Sequence, residues 1–538
     1  LPISKYSKVN KKGELGSPYS IESFTELDEM LKDTMASDDT TINEEFGALV
    51  EACHILNIRV TIDIIPRTAS VVNSLVIKHP EWFYWIKSSE YDLYRAPHIE
   101  SLGDTIYPSK EMMEPLLKSE DSKRHIKMFM ENPKDKDPDT FSKINETDPI
   151  KFLEKIKELY DLRIAPAFSD QINDIQPPWS DVTYFRIYLD DPIYTKKYLK
   201  IKHNPYILSD TIKSNLYPGR IPNIELWEYL SNIIPYYQNE FGIDGARIDM
   251  GHALPMELLN MIINNAKRVD GDFSFIAEEL NMDYDKASKE KGYNAMIGNS
   301  FYMLPRAMEG NLKNFITNMH TKVLPSFAAV ETHDTKRASM RDGKEAFTRF
   351  ITVLDYFIPN TIPFINSGQE LYEKEPMNLG LDSSDKDLES LDKNDIFYSK
   401  LALFDKYQFH YNNPNSFEII NHLVDVIKVR ESWLDYITDT NCYEEIKFNI
   451  DSPTLIGIGY KNKNSNKALL IVGNANINES INIEAQIDSI RNDINNHNYH
   501  SRLSYSTFEF PRTINEYSSN GNIYLYLRPL EVKIIELD

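Results

Sequence analysis

Short apolar runs alternate with amphipathic helical patterns over several hundred residues of this chain, and that alternation restricts its fold more than any other feature. The runs are Arg59–Ile65, Asp244–Ile248, Phe273–Ala277, Tyr293–Ile297, Phe327–Val330 and Thr361–Ile365. Runs of this kind suit parallel strands covered on both faces. Among them lie Ile224–Phe241, Pro255–Val269, Lys344–Tyr356 and Phe417–Val429, with apolar residues near i, i+3, i+4 and i+7. Repeated strand and helix predict an α/β fold, either an open parallel sheet or a (β/α)8 TIM-type barrel.

Two stretches depart from the alternation. Residues 66 to 222 hold turns, polar runs and the tryptophans Trp82, Trp85 and Trp179. The stretch is too long for a loop and predicts an inserted domain. Its Lys134-Asp135-Lys136-Asp137 run reads as a solvated turn or linker. Beyond about Tyr436 the pattern becomes Leu455–Tyr460, Ala468–Val472, Ile523–Leu527 and Val532–Leu537, which predicts an all-β C-terminal domain. The expected division is barrel 1–65, inserted domain 66–222, barrel 223–436 and β-domain 437–538.

Composition narrows the partners. Lys plus Arg number 59 against 82 Asp plus Glu, a net charge of −23. Phosphate binding needs a basic face, so nucleic acid is excluded as the default partner, and an anionic membrane surface is disfavoured. Cys53 and Cys442 form no CxxC pair, which argues against a thiolate metal site or a disulfide framework. No run of eighteen apolar residues is present to span a membrane.

Four segments at the C-terminal ends of predicted strands carry the chemistry: Thr61–Ile65 with Asp63, Gly242–Asp249, Phe275–Glu279, and Val330–Asp334. A barrel places its active site at those ends. Arg247 and Asp249 are two apart on a strand and point to one face. The guanidinium is expected to keep Asp249 ionised, as a nucleophile requires. Glu278 ends the next apolar run, where partial burial would raise its pKa for acid duty. His333 and Asp334 can bind sugar hydroxyls and steady positive charge. Two carboxylates across a glycosidic bond, one ionised and one protonated, are the parts of a retaining glycosidase.

These segments resemble the conserved regions of the α-amylase superfamily of glycoside hydrolases. Gly242–Asp249 is similar to its nucleophile strand, Phe275–Glu278 to its acid/base strand, and Thr332-His333-Asp334 to its Asn-His-Asp segment. Ile362–Glu370 resembles the last barrel strand, Ile221-Pro222-Asn223 the motif before the nucleophile strand, and Pro18-Tyr19-Ser20 an early tyrosine motif. The resemblance implies Asp249 as nucleophile, Glu278 as general acid/base and Asp334 as stabiliser of the oxocarbenium-like state. It implies Arg247 as the group holding Asp249, His333 as a sugar ligand, Asp63 as support on the nucleophile side, and Tyr19 beneath the reacting sugar. The implied partner is an α-glucan or maltooligosaccharide.

Departures from the family pattern bear on cofactor and acceptor. Where many members carry Asn-His after the third-strand Asp, this chain has Arg67-Thr68; where many carry Lys-His after the nucleophile, it has Met250-Gly251-His252. Arg cannot coordinate a cation, so the family calcium site is expected to be absent and no cofactor is expected. Arg67 is expected near the cleft, meeting a phosphate, a carboxylate or an acidic neighbour, and His252 is a further candidate ligand. His79-Pro80-Glu81-Trp82-Phe83 resembles members related to maltosyltransferases that use maltose 1-phosphate. Hydrolysis, glucanotransfer and phosphate-linked transfer therefore stay open, with a non-catalytic glucan-binding protein as the rival from another class. One of Trp82, Trp85 and Trp179 is expected to stack on sugar, the others to pack in the core. Aligned this way, Asp63 ends the third barrel strand, and residues 1–65 supply only the end of the second strand and the third. The first strand then has no candidate, and the expectation is an N-terminally incomplete barrel. A cytoplasmic location is expected rather than a secreted one.

Overall fold

The structure is a computed structural model describing residues 1–104, 106–462, 466–491, 500–508, 516–517 and 521–537. The expected β-domain 437–538 therefore lies partly outside the described residues. The chain forms two compact units, Leu1–Glu278 with Glu290–Asn294, and Glu279–Lys289 with Ala295–Asp538.

The first unit is built on three parallel strands, Thr61–Ile64, Gly245–Ile248 and Ser274–Ala277, with Gly245–Ile248 in the middle. The apolar runs are buried as expected: Ile62, Ile64, Ala246, Ile248, Phe275 and Ala277 are all core. Gly245 permits the close approach, because a Cβ there would meet Thr61 Oγ1 at 2.8 Å and Ser274 O at 3.0 Å. The return helix Met256–Val269 buries Leu258, Leu259, Ile262, Ile263 and Ala266 at helical spacing. The pattern over Ile224–Phe241 becomes two helices, Ile224–Ser231 and Ile233–Phe241, broken at Asn232. Pro235 is the cause: its ring would clash with the carbonyl four residues back, so the helix restarts with proline in its first turn.

Residues Ser4–Tyr6 do not join the parallel strands. They pair antiparallel with Ile21–Leu27, which corrects the expectation of a second barrel strand there. Residues 66–222 contain a pair of antiparallel strands, Thr68–Ser70 with Val182–Tyr184, and a three-stranded sheet with Trp85–Lys87 between Phe129–Met130 and Leu162–Ile164. They have a core of their own, including Ile86, Met113, Leu116, Ile126, Phe129 and Ile207. The Lys134–Asp137 run is a solvated turn, as expected: Asn132 caps a one-turn helix Pro133–Lys136 whose Lys134, Asp135 and Lys136 are exposed.

The second unit also has three parallel strands, Ala295–Met296, Ser326–Ala328 and Thr361–Pro363, with Ser326–Ala328 in the middle. Helices Lys344–Asp355 and Glu418–Ile437 match their predicted patterns. Towards its C-terminal end, a six-stranded antiparallel sheet and a three-stranded one enclose a shared core. Leu470, Val472 and Ile535 come from the larger sheet; Ile483, Ala485 and Leu525 come from the smaller. Alternation along each strand supplies these inward residues.

Candidate active site

Register places the first cluster. Asp63 pairs with Arg247 across neighbouring strands, and Ile276 pairs with Arg247 on the other side. Asp249 and Glu278 each stand just past a strand end, tied by Asp249 N–H to Ile64 O at 2.8 Å and Glu278 N–H to Ile248 O at 3.4 Å. The Arg247 guanidinium then reaches three carboxylates. Its Nη1 donates to Asp63 Oδ1 at 2.7 Å and Asp249 Oδ1 at 2.9 Å, and its Nη2 lies 3.0 Å from Glu278 Oε1. Tyr19 donates its hydroxyl to Asp63 Oδ2 at 3.1 Å. Met250, in the left-handed region at φ 49°, turns its N–H onto Glu278 Oε2 at 2.6 Å.

The electrostatics correct one expectation. Burial pushes the Asp249 carboxyl well above the usual carboxylate range, the charge of Glu278 adds to this, Arg247 opposes it, and Asp63 adds again. Arg247 alone therefore does not keep Asp249 ionised. Its guanidinium is itself held charged, because Glu278, Asp63 and Asp249 outweigh the cost of its burial.

A second contact set flanks Glu278. His252 Nδ1 lies 3.3 Å from Glu278 O, and its Nε2 lies 3.9 Å from Asp170 Oδ2. Asp170 also pairs with Lys213. Burial works against a charge on Asp170, yet His252 and Lys213 bring its pKa down to about 2. Sequence reasoning missed Asp170 and Lys213, which come from irregular backbone with no periodicity to mark them.

Arg67 lies elsewhere than expected. It is 1% exposed and donates to three backbone carbonyls: Ile212 O at 3.1 Å, Phe185 O at 2.6 Å and Thr211 O at 2.7 Å. It stacks over Tyr184 at 4.7 Å. A guanidinium spent on buried carbonyls is unavailable to a phosphate or a substrate, which corrects its placement as a cleft cation. Trp82 and Trp85 are buried at 3% and 1%, and Trp85 donates its indole N–H to Pro80 O at 2.8 Å. Trp179 is half-buried.

In the second unit, His333 Nε2 lies 3.2 Å from Asp334 Oδ2, and Asn378 donates to Asp334 Oδ1 at 2.7 Å. Buried groups hold this loop. Arg337 donates to Glu331 Oε1 at 2.7 Å and to Ser367 O at 2.7 Å, Ala338 N–H donates to Glu331 Oε2 at 2.6 Å, and Asn366 donates to Glu331 Oε1 at 2.9 Å. Gly380 lets its loop approach, since a Cβ there would sit 2.9 Å from Asp334 O. Asn366 belongs to the segment read as the last barrel strand, which accounts for a polar residue in an apolar run.

The fold is similar to that of α-amylase family glycoside hydrolases. A maltogenic α-amylase from Thermotoga neapolitana superposes with TM-score 0.59 at 17% identity, over 99% of this chain and 88% of that one. An α-amylase from Geobacillus thermoleovorans, in complex with acarbose, gives 0.56 at 13% identity over 100% and 87%. A Nostoc punctiforme debranching enzyme gives 0.54 at 14% over 99% and 84%. No family model and no curated protein sequence matches the chain. Among the described residues no helix is long and apolar enough to cross a membrane.

Proposed function

We propose that this chain is a retaining α-glucan-active glycoside hydrolase of the α-amylase superfamily. The observation that carries the reading is one guanidinium, Arg247, gathering Asp63, Asp249 and Glu278 at 2.7–3.0 Å at the ends of parallel strands. A shared guanidinium keeps the two carboxylates in one cluster, and the retaining assignment rests on the sequence resemblance. Asp249 attacks the anomeric carbon while Glu278 gives its proton to the departing oxygen. Glu278 then takes a proton from water, which releases the sugar from Asp249. For the first step Asp249 must be ionised and Glu278 protonated. The roles of Asp334 and His333 rest on the sequence resemblance, as does a sugar contact for Tyr19.

Glucanotransfer uses the same first step with a sugar hydroxyl as acceptor. Phosphate-linked transfer loses the support of Arg67, which is committed to carbonyls, and keeps only the likeness of the His79–Phe83 segment. The reading includes no cofactor. Chromatography of products from maltoheptaose, glycogen and trehalose, with phosphate varied, tests the proposal. Shorter glucans of retained α-configuration are expected, unchanged by phosphate. Binding without any bond cleavage or transfer would overturn it.

A further inference from the structure

The sequence segment His79-Pro80-Glu81-Trp82-Phe83 takes no part in the chemistry above, yet it builds a defined cluster in the first unit. His79 follows the short helix Leu75–Lys78, and Glu81 lies in the tight turn Pro80–Trp82. Glu225 arrives from a distant part of the chain, in the first turn of helix Ile224–Ser231. The His79 Nδ1 atom is 3.2 Å from Glu81 Oε1 and 4.0 Å from Glu225 Oε2. One ligand atom from each of the three residues lies within 4.8 Å of the others.

We propose that His79, Glu81 and Glu225 bind a divalent ion of the zinc type. Zinc bonds to His nitrogen and carboxylate oxygen of about 2.0–2.2 Å set tetrahedral ligand atoms about 3.3 Å apart, close to the His79–Glu81 separation. Glu225 has a side chain 76% exposed and free to swing across the remaining gap. A mixed nitrogen and oxygen set suits zinc, whereas calcium takes oxygens alone.

The ligands are also held in place. The His79 ring stacks on Trp82 at 3.8 Å with 12° between planes. Lys134 Nζ lies 3.3 Å from Glu81 Oε2, which leaves Oε1 turned to His79. His79, Trp82 and Glu225 line one cleft of about 500 Å³, with room for a water as fourth ligand. A local His79–Glu81 hydrogen bond accounts for two of these residues, but not for the third carboxylate.

The test uses the whole chain, stripped with a chelator and dialysed against zinc. Equilibrium dialysis with elemental analysis should give one saturable zinc per chain, and thermal unfolding should shift upward with zinc concentration. Calcium at the same concentration should not displace it. Glu225→Gln, at an exposed position, and His79→Gln should each weaken zinc binding by at least about tenfold. Should His79→Gln fail to fold, Glu225→Gln alone decides. Absence of saturable zinc, or zinc binding that Glu225→Gln leaves unchanged, overturns the proposal.

Discussion

One guanidinium against three carboxylates leaves the Asp63, Arg247, Asp249 and Glu278 cluster with an excess of negative charge, and burial makes that excess costly. The folded chain therefore favours a proton on Asp249 at pH values where an unfolded Asp has lost its own. For a carboxyl raised in this way, stability is fullest below the unfolded pKa, about 3.9 for Asp, and declines as pH climbs through the window up to the folded pKa. Asp249→Asn removes the group, so the variant should melt above the parent at neutral pH, with the difference shrinking toward pH 4. The same variant should lose at least about 10³-fold in kcat. Thermal scans from pH 4 to 8 with parallel assays on maltoheptaose check both; a parent rate, or a melting difference independent of pH, would count against the assignment. Arg247→Lys keeps the charge but loses the planar fork that reaches Asp249 and Glu278 from separate nitrogens. Its kcat/KM should fall at least about 10²-fold while the fold persists, read by steady-state kinetics beside circular dichroism.

At the scale of elements, how a loop is tied down decides what the strand ends can present. Arg67 satisfies three buried carbonyls in the 66–222 segment. Arg67→Met leaves them without donors at about 1–3 kcal/mol each, so urea unfolding should register a loss of roughly 3 kcal/mol or more. In the second unit Glu375 is fully buried, and burial raises its pKa to about 8 although the backbone N–H groups of Leu391 and Ser399 act to lower it. The folded form favours the neutral acid, so its contribution to stability is present below the unfolded value near 4.3 and is lost as pH rises toward 8. Glu375→Gln should match the parent's melting temperature below about pH 4 and exceed it at about pH 8.5. These elements also mark where sequence reading succeeds and stops. Strand ends at Asp63, Asp249 and Glu278 were legible because buried parallel strands write themselves as apolar runs, and side-chain direction follows from the period of two. The helix break at Asn232 was legible in principle from Pro235. The partners of Arg67, and the Asp170–Lys213 pair beside His252, were not. They depend on which carbonyls and loops irregular backbone brings together, and no periodicity encodes that.

At the scale of the whole molecule, the net charge of −23 separates the candidate substrates. A neutral glucan feels no long-range field, so its capture should not depend on salt. A phosphorylated sugar approaching an anionic protein is repelled, and salt relieves the repulsion by shortening the Debye length. For a neutral maltooligosaccharide, kcat/KM should change by less than about twofold between roughly 20 mM and 500 mM NaCl. If a sugar phosphate were the natural donor, kcat/KM toward it should instead climb several-fold over that range, unless a local basic site offset the field. Arg67 was the residue held out for such a site, and its burial at 1% exposure removes it. Steady-state kinetics on maltoheptaose and on maltose 1-phosphate across that salt series therefore tests substrate class independently of product analysis. Salt-insensitive turnover of the neutral chain, with no measurable turnover of the phosphate, is the expected result. Efficient use of the sugar phosphate would reverse the choice between hydrolysis and phosphate-linked transfer while leaving Asp249 and Glu278 in their roles.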